Sequence, residues 1–157
     1  MSDYRVVAVP TATAERVRET LTSPRYGHPA HVELATGYGP CRHCLRFFAV
    51  GEERRILFTH DSFAGTGSPP LPGPVFIHQE ACERYPEDGG FPRHLLAHPL
   101  TLAAYGPGRR LMAEERIEGG AVEPVLEHLL AVPEVERIQV HDFDAGCFDF
   151  RIERGAA

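Results

Sequence analysis

The last two hydrophobic runs constrain the fold more than any other feature of the chain. Arg137 to Phe143 and Cys147 to Arg154 are β-rich, and only Asp144-Ala145-Gly146 separates them. A three-residue connection with Gly at the left-handed position is a favoured hairpin loop. It pairs Val140 with Phe150 and Ile138 with Ile152. One face then carries Ile138, Val140, Phe148, Phe150 and Ile152, all apolar. A two- or four-residue loop would mix the faces, because side chains alternate with period two.

The opposite face of this hairpin carries Gln139, His141, Phe143, Cys147, Asp149 and Arg151. The same register puts His141 opposite Asp149, with Cys147 as their diagonal neighbour. A carboxylate fixes an imidazole's tautomer and raises its basicity, and an adjacent imidazole can deprotonate a thiol. The expectation is a catalytic group of Cys147, His141 and Asp149, with Arg151 as an anion clamp. The plainer reading is a solvated sheet face with an ordinary cross-strand ion pair.

The rest of the chain alternates short strands with two helices. Tyr4 to Val9 reads as a strand stopped by Pro10. Thr11 and Thr13 are N-cap candidates for a helix to about Leu21, with Ala14, Val17 and Leu21 on one face. A short strand is expected at His31 to Leu34, another at Arg55 to His60 and a third at Val75 to His78. Ala64 to Pro74 is dense in Gly, Pro and Ser and reads as loop. Strands at about Leu100 to Tyr105 and Leu111 to Ile117 form a hairpin about the turn Tyr105-Gly106-Pro107-Gly108-Arg109. Val122, Val125, Leu126, Leu129 and Leu130 mark the clearest helix, which Pro133 ends. The expected fold is α+β: a single mixed or mostly antiparallel sheet with two main helices and a C-terminal β-hairpin. One domain is expected over residues 1–157, with an ordered core from about 4 to 154. The 43% hydrophobic content suits a chain that buries a core without staples.

Charge narrows the partners. The formal net charge is −6, which disfavours nucleic acid as a partner. All 16 basic residues are arginine, so no Schiff-base, P-loop or general-base lysine is available. Arginine forks can still hold a small anionic molecule. No apolar run reaches the roughly 18 residues of a membrane span. The first residues, Met1-Ser2-Asp3-Tyr4-Arg5, do not read as a secretory signal. A cytoplasmic, bacterial protein with reduced cysteines is expected.

Cys41-Arg42-His43-Cys44 is a lone C-x-x-C, and His78-x-x-x-Cys82 can supply two further ligands. Together Cys41, Cys44, His78 and Cys82 would make a tetrahedral site of the kind zinc prefers. The alternatives are a dithiol redox motif, which normally opens a helix, and small buried cysteines beside a strand-end histidine.

Gly39-Pro40-Cys41-Arg42, Ile56-Leu57-Phe58, Gly73-Pro74-Val75-Phe76-Ile77-His78, and Val140-His141 with Gly146-Cys147-Phe148 also carry a resemblance. On these anchors the chain resembles, from about Tyr4 to Arg154, a bacterial family catalogued as domain of unknown function 1203. The resemblance implies a fold unit and no mechanism. It implies that Cys41, Arg42, His141 and Cys147 match family positions, that Cys44 does not, and that Cys41, Arg42, His78, His141 and Cys147 form one cluster.

Three functions follow as expectations. The first is a small-molecule site for an anionic ligand, with Cys147 or Cys41 as a reactive thiol, His141 as base, and Arg42, His78 or Arg151 as binding groups. The second is a binding or homodimerisation module using the same polar face. The third is zinc binding through Cys41, Cys44, His78 and Cys82.

Overall fold

A computed structural model of the chain describes residues 4–155. Eight strands and two α-helices follow the order β1 (Tyr4–Val7), α1 (Thr11–Thr20), β2 (His31–Leu34), β3 (Arg54–Asp61), β4 (Pro72–His78), β5 (Leu100–Gly106), β6 (Arg110–Ile117), α2 (Glu123–Leu130), β7 (Arg137–Asp142) and β8 (Phe148–Arg154). The α+β expectation holds, and both expected helices are present.

The expected single sheet is instead two. A five-stranded antiparallel sheet runs β1-β8-β7-β5-β6, and a separate antiparallel sheet runs β2-β3-β4. Proline chemistry accounts for the break. Pro72 and Pro74 sit on β4, opposite Asp61 and Thr59. Their missing N–H donors suit an edge strand and cannot extend a ladder onto a further strand. β4 therefore packs against β8 without joining its ladder.

Each sheet has its own core. Ile138, Val140, Phe150 and Ile152 from β7 and β8 meet Leu126 and Leu129 of α2. The apolar face expected for the last hairpin is thus buried, except for Phe148. The second core packs Ala14 and Val17 of α1 on Ile56, Phe58, Val75 and Ile77, together with Cys41, Cys44 and Phe48. The cap of α1 differs from expectation. Pro10 occupies the N-cap position and makes no side-chain cap. The Thr11 hydroxyl lies instead 3.0 Å from His43 Nε2.

The register of the last hairpin is right in its outer part and wrong near the loop. Val140 pairs with Phe150 and Ile138 with Ile152, as expected. A bulge between Val140 and His141 then sets His141 opposite Phe148, leaving Asp149 as the extra residue. Beyond it, the Asp142 N–H donates to Cys147 O at 2.9 Å, so the connection runs from Phe143 to Gly146. Gly146 is left-handed, with φ 73°. The bulge turns Phe148 away from the apolar face and onto the second core.

Candidate metal centre

Cys41 and Cys44 lie in a tight knuckle. The Cys41 N–H donates to Arg46 O at 2.9 Å, and the Leu45 N–H donates to Cys41 O at 2.8 Å. Leu45 takes a positive φ of 62° to close the turn. A single bridge between Pro40 and Phe47 holds its base. The knuckle precedes a strand, not a helix, which removes the usual setting of a dithiol redox motif.

His78 ends β4 and brings Cys82 with it. The ligand atoms of Cys41, Cys44, His78 and Cys82 all lie within 4.8 Å of one another. Cys41 Sγ is 3.8 Å from Cys82 Sγ, and Cys44 Sγ is 3.4 Å from His78 Nδ1. Zinc bonds of about 2.0–2.3 Å give tetrahedral edges of roughly 3.3–3.8 Å. A disulfide would need sulfurs about 2.05 Å apart, and all four cysteines of the chain are free.

The surroundings are organised around this cluster. His78 Nε2 lies 3.1 Å from Glu53 Oε1, and Glu53 accepts the Ala49 N–H at 2.7 Å. With Nδ1 facing the sulfurs, Nε2–H donates to the carboxylate, the usual support of a metal-bound imidazole. The His78 backbone N–H donates to Cys41 Sγ at 3.3 Å. Arg18 donates from Nη2 to Cys82 Sγ at 3.2 Å and from Nε to His78 O at 2.9 Å. His43 Nδ1 approaches Cys82 Sγ at 3.2 Å.

Proton affinity inside the cluster is strongly skewed. Burial pushes the Cys41 thiol far up. Hydrogen bonds, first from Cys41 and then from Cys44, hold Cys82 well below the usual thiol range. A hydrogen bond with Cys41 lowers Cys44 as well. His78 is raised to about 10, first by Cys44 and then by Cys82. Arg46 is raised by its hydrogen bond to Cys44, which places a second cation beside the sulfurs. Three thiolates and one imidazole around a divalent ion carry one net negative charge, and Arg18 and Arg46 lie where they offset it. The donor set fits zinc: three sulfurs and one nitrogen, tetrahedrally spaced, with the imidazole's far side hydrogen-bonded.

The residues of the final hairpin fall elsewhere. Asp149 does not face His141. It is buried, with Oδ1 3.3 Å from Arg42 Nη2. Burial raises its carboxyl to about 6 against the opposing pull of Arg42. His141 packs edge-on to Phe148, ring centroids 6.0 Å apart, and burial lowers its pKa. Among the described residues the one hydrogen-bond contact of Cys147 Sγ is Ala145 O, at 4.0 Å. The bulge therefore separates the carboxylate from the imidazole and thiol that an even ladder would have kept together. Arg151 donates to Ser62 O at 3.1 Å and Ala64 O at 3.2 Å and pairs with Glu153 at 2.9 Å. Of the five residues expected as one cluster, Cys41 and His78 meet in the metal cluster, His141 and Cys147 line a separate cavity, and Arg42 binds Phe148 O and Asp149.

The family described as "Protein of unknown function (DUF1203)" matches residues 38–154. The chain belongs to this family. The DUF1203 match takes in all four cluster residues together with Glu53, His141 and Cys147, while β1, α1 and hence Arg18 lie before it. No curated protein and no solved structure matches the chain.

Sequence reasoning reached all four residues of the cluster but not their supports. Arg18, Glu53 and His43 carry no spacing signal toward the cluster. Only His43, inside the C-x-x-C itself, stood near enough in sequence to be suspected.

Proposed function

We propose that this DUF1203 protein binds one zinc ion through Cys41, Cys44, His78 and Cys82, and that the ion serves a structural role. The observation that carries this reading is the convergence of four ligand atoms within 4.8 Å from three separate places in the chain. All four positions of a tetrahedral ion would be filled by protein, which leaves no place for water or substrate, as in closed structural sites.

The role follows from what the knuckle touches. Arg42 N–H donates to Phe76 O at 2.9 Å, Val9 N–H to Arg42 O at 2.9 Å, and Tyr85 N–H to His43 O at 2.9 Å. Arg42 Nε also donates to Phe148 O at 2.9 Å. A metal that fixes the knuckle thereby fixes the contact between the two sheets. Among the described residues no helix is long and apolar enough to cross a membrane. Free, unbridged thiols support a reducing, cytoplasmic setting.

The test is metal analysis of protein purified without added zinc, followed by cobalt substitution. One equivalent of zinc, replaceable by cobalt with thiolate charge-transfer and tetrahedral d–d absorption, supports the reading. Protein that neither retains nor takes up a metal overturns it.

A further inference from the structure

A second site lies between the loop of the final hairpin and the proline-bearing edge of β4, independent of the metal reading. A cavity of about 300 Å³ opens there. Leu71, Val75 and the Phe148 ring give it apolar walls, and His60 and His141 give it polar ones. Both imidazoles flank the same aromatic ring, each with its centroid 6.0 Å from that of Phe148. Among the described residues no side chain hydrogen-bonds either ring, and the His141 ring has a backbone partner in Gly146. Each ring therefore keeps at least one nitrogen free to bond a ligand.

The cavity's charge is specific too. Burial depresses His60 to about 4 and lowers His141, so both rings are neutral near pH 7. No arginine or carboxylate lines the cavity. The nearby arginines are engaged: Arg42 with Phe148 O, Pro40 O and Asp149, and Arg151 with Ser62 O, Ala64 O and Glu153. The site thus lacks the cation an anionic ligand requires.

We infer that this cavity binds an uncharged small molecule: a planar apolar body resting on Phe148, with a hydroxyl or amide group that hydrogen-bonds His60 or His141. The volume, at the small end of ligand pockets, fits a one-ring or two-ring compound. Gly73 offers a way to close it. It lines the cavity, and a Cβ built there meets nothing within 4 Å.

Phenol and benzoate, titrated into the protein as purified and followed through histidine ring NMR signals, test the inference. Phenol should shift the His60 and His141 signals saturably, with a dissociation constant of about a millimolar, ordinary for so small a probe. Benzoate should bind at least about tenfold more weakly, and Gly73→Leu should weaken phenol by a similar factor. Should Gly73→Leu not fold, Ala145→Phe on the exposed loop at the rim supplies the block. Absence of saturable shifts, equal binding of benzoate, or phenol binding unaffected by a folded blocking variant overturns the inference.

Discussion

Arg42 of the cysteine knuckle lies 3.3 Å from Asp149 of the final hairpin, with both side chains buried. The same guanidinium donates to Phe148 O at 2.9 Å and to Pro40 O at 2.7 Å. One residue thus ties the candidate metal centre to the bulge in β8. Removing one partner of a buried pair leaves an uncompensated charge, at a cost of about 3–5 kcal/mol. Arg42→Met should lower Tm by roughly 6–20 °C, at about 2–4 °C per kcal/mol for a chain this size. The double variant Arg42→Met/Asp149→Leu should recover most of that loss. Strictly additive losses, read by thermal unfolding, would show that the pair is not coupled.

The four cysteines should differ in reactivity. Cys147 is half-buried and outside the cluster, while Cys41, Cys44 and Cys82 lie within it. With metal bound, iodoacetamide should label Cys147 alone, since a coordinated thiolate is protected. A chelator should then expose the other three, as counted by intact mass. Rapid labelling of Cys82 in the metal-loaded protein would contradict the ligand assignment.

Glu53 orients His78 from behind, with Oε1 3.1 Å from Nε2. Glu53→Gln should keep the zinc stoichiometry but weaken affinity about 10- to 100-fold, the usual effect of losing such a support. Competition with a chromogenic chelator measures it. Unchanged affinity would reduce this contact to a surface ion pair.

His60 should make the protein acid-sensitive. Burial holds its pKa near 4 in the folded state, against 6.5 for the free side chain. Below pH 6.5 the unfolded chain gains a proton that the folded state refuses, so stability falls as pH drops from 6.5 toward 4. The full contribution is about 3 kcal/mol, and above pH 6.5 it is absent. Asp149 works the other way: its carboxyl is raised to about 6, so the folded state protonates first and gains stability as pH falls from there. Comparison with His60→Gln isolates the histidine. Denaturant unfolding at pH 7 and pH 4.5 should show a smaller acid loss in the variant; an equal loss would remove His60 as the cause.

Local pattern carried much of the fold. The helical periodicity of Val122 to Leu130 and the turn chemistry about Gly106 and Gly146 marked elements that the structure contains. The pairing of Ile138 with Ile152 and Val140 with Phe150 was readable because one face must be wholly apolar. The bulge at Asp149 was not readable, because it depends on a buried partner, Arg42, which lies 106 or more residues away along the chain. A one-residue shift there changed the neighbours of His141 and moved Phe148 to the other core. Only Pro72 and Pro74 signal the division into two sheets, and in the sequence their Gly- and Pro-rich setting reads as loop. The four cluster residues were visible as spacing; their convergence was not, since it rests on how β4 meets the knuckle.

The central claim is that Cys41, Cys44, His78 and Cys82 hold a structural metal. The most direct measurement is metal content per chain in protein purified without added zinc, paired with thermal unfolding before and after chelation. One zinc per chain, and a fall in Tm of more than about 10 °C on its removal, is the predicted result for an ion that fixes the knuckle between the two sheets. Less than about half an equivalent of any transition metal, with no uptake of cobalt and no change in unfolding with chelator, would contradict it.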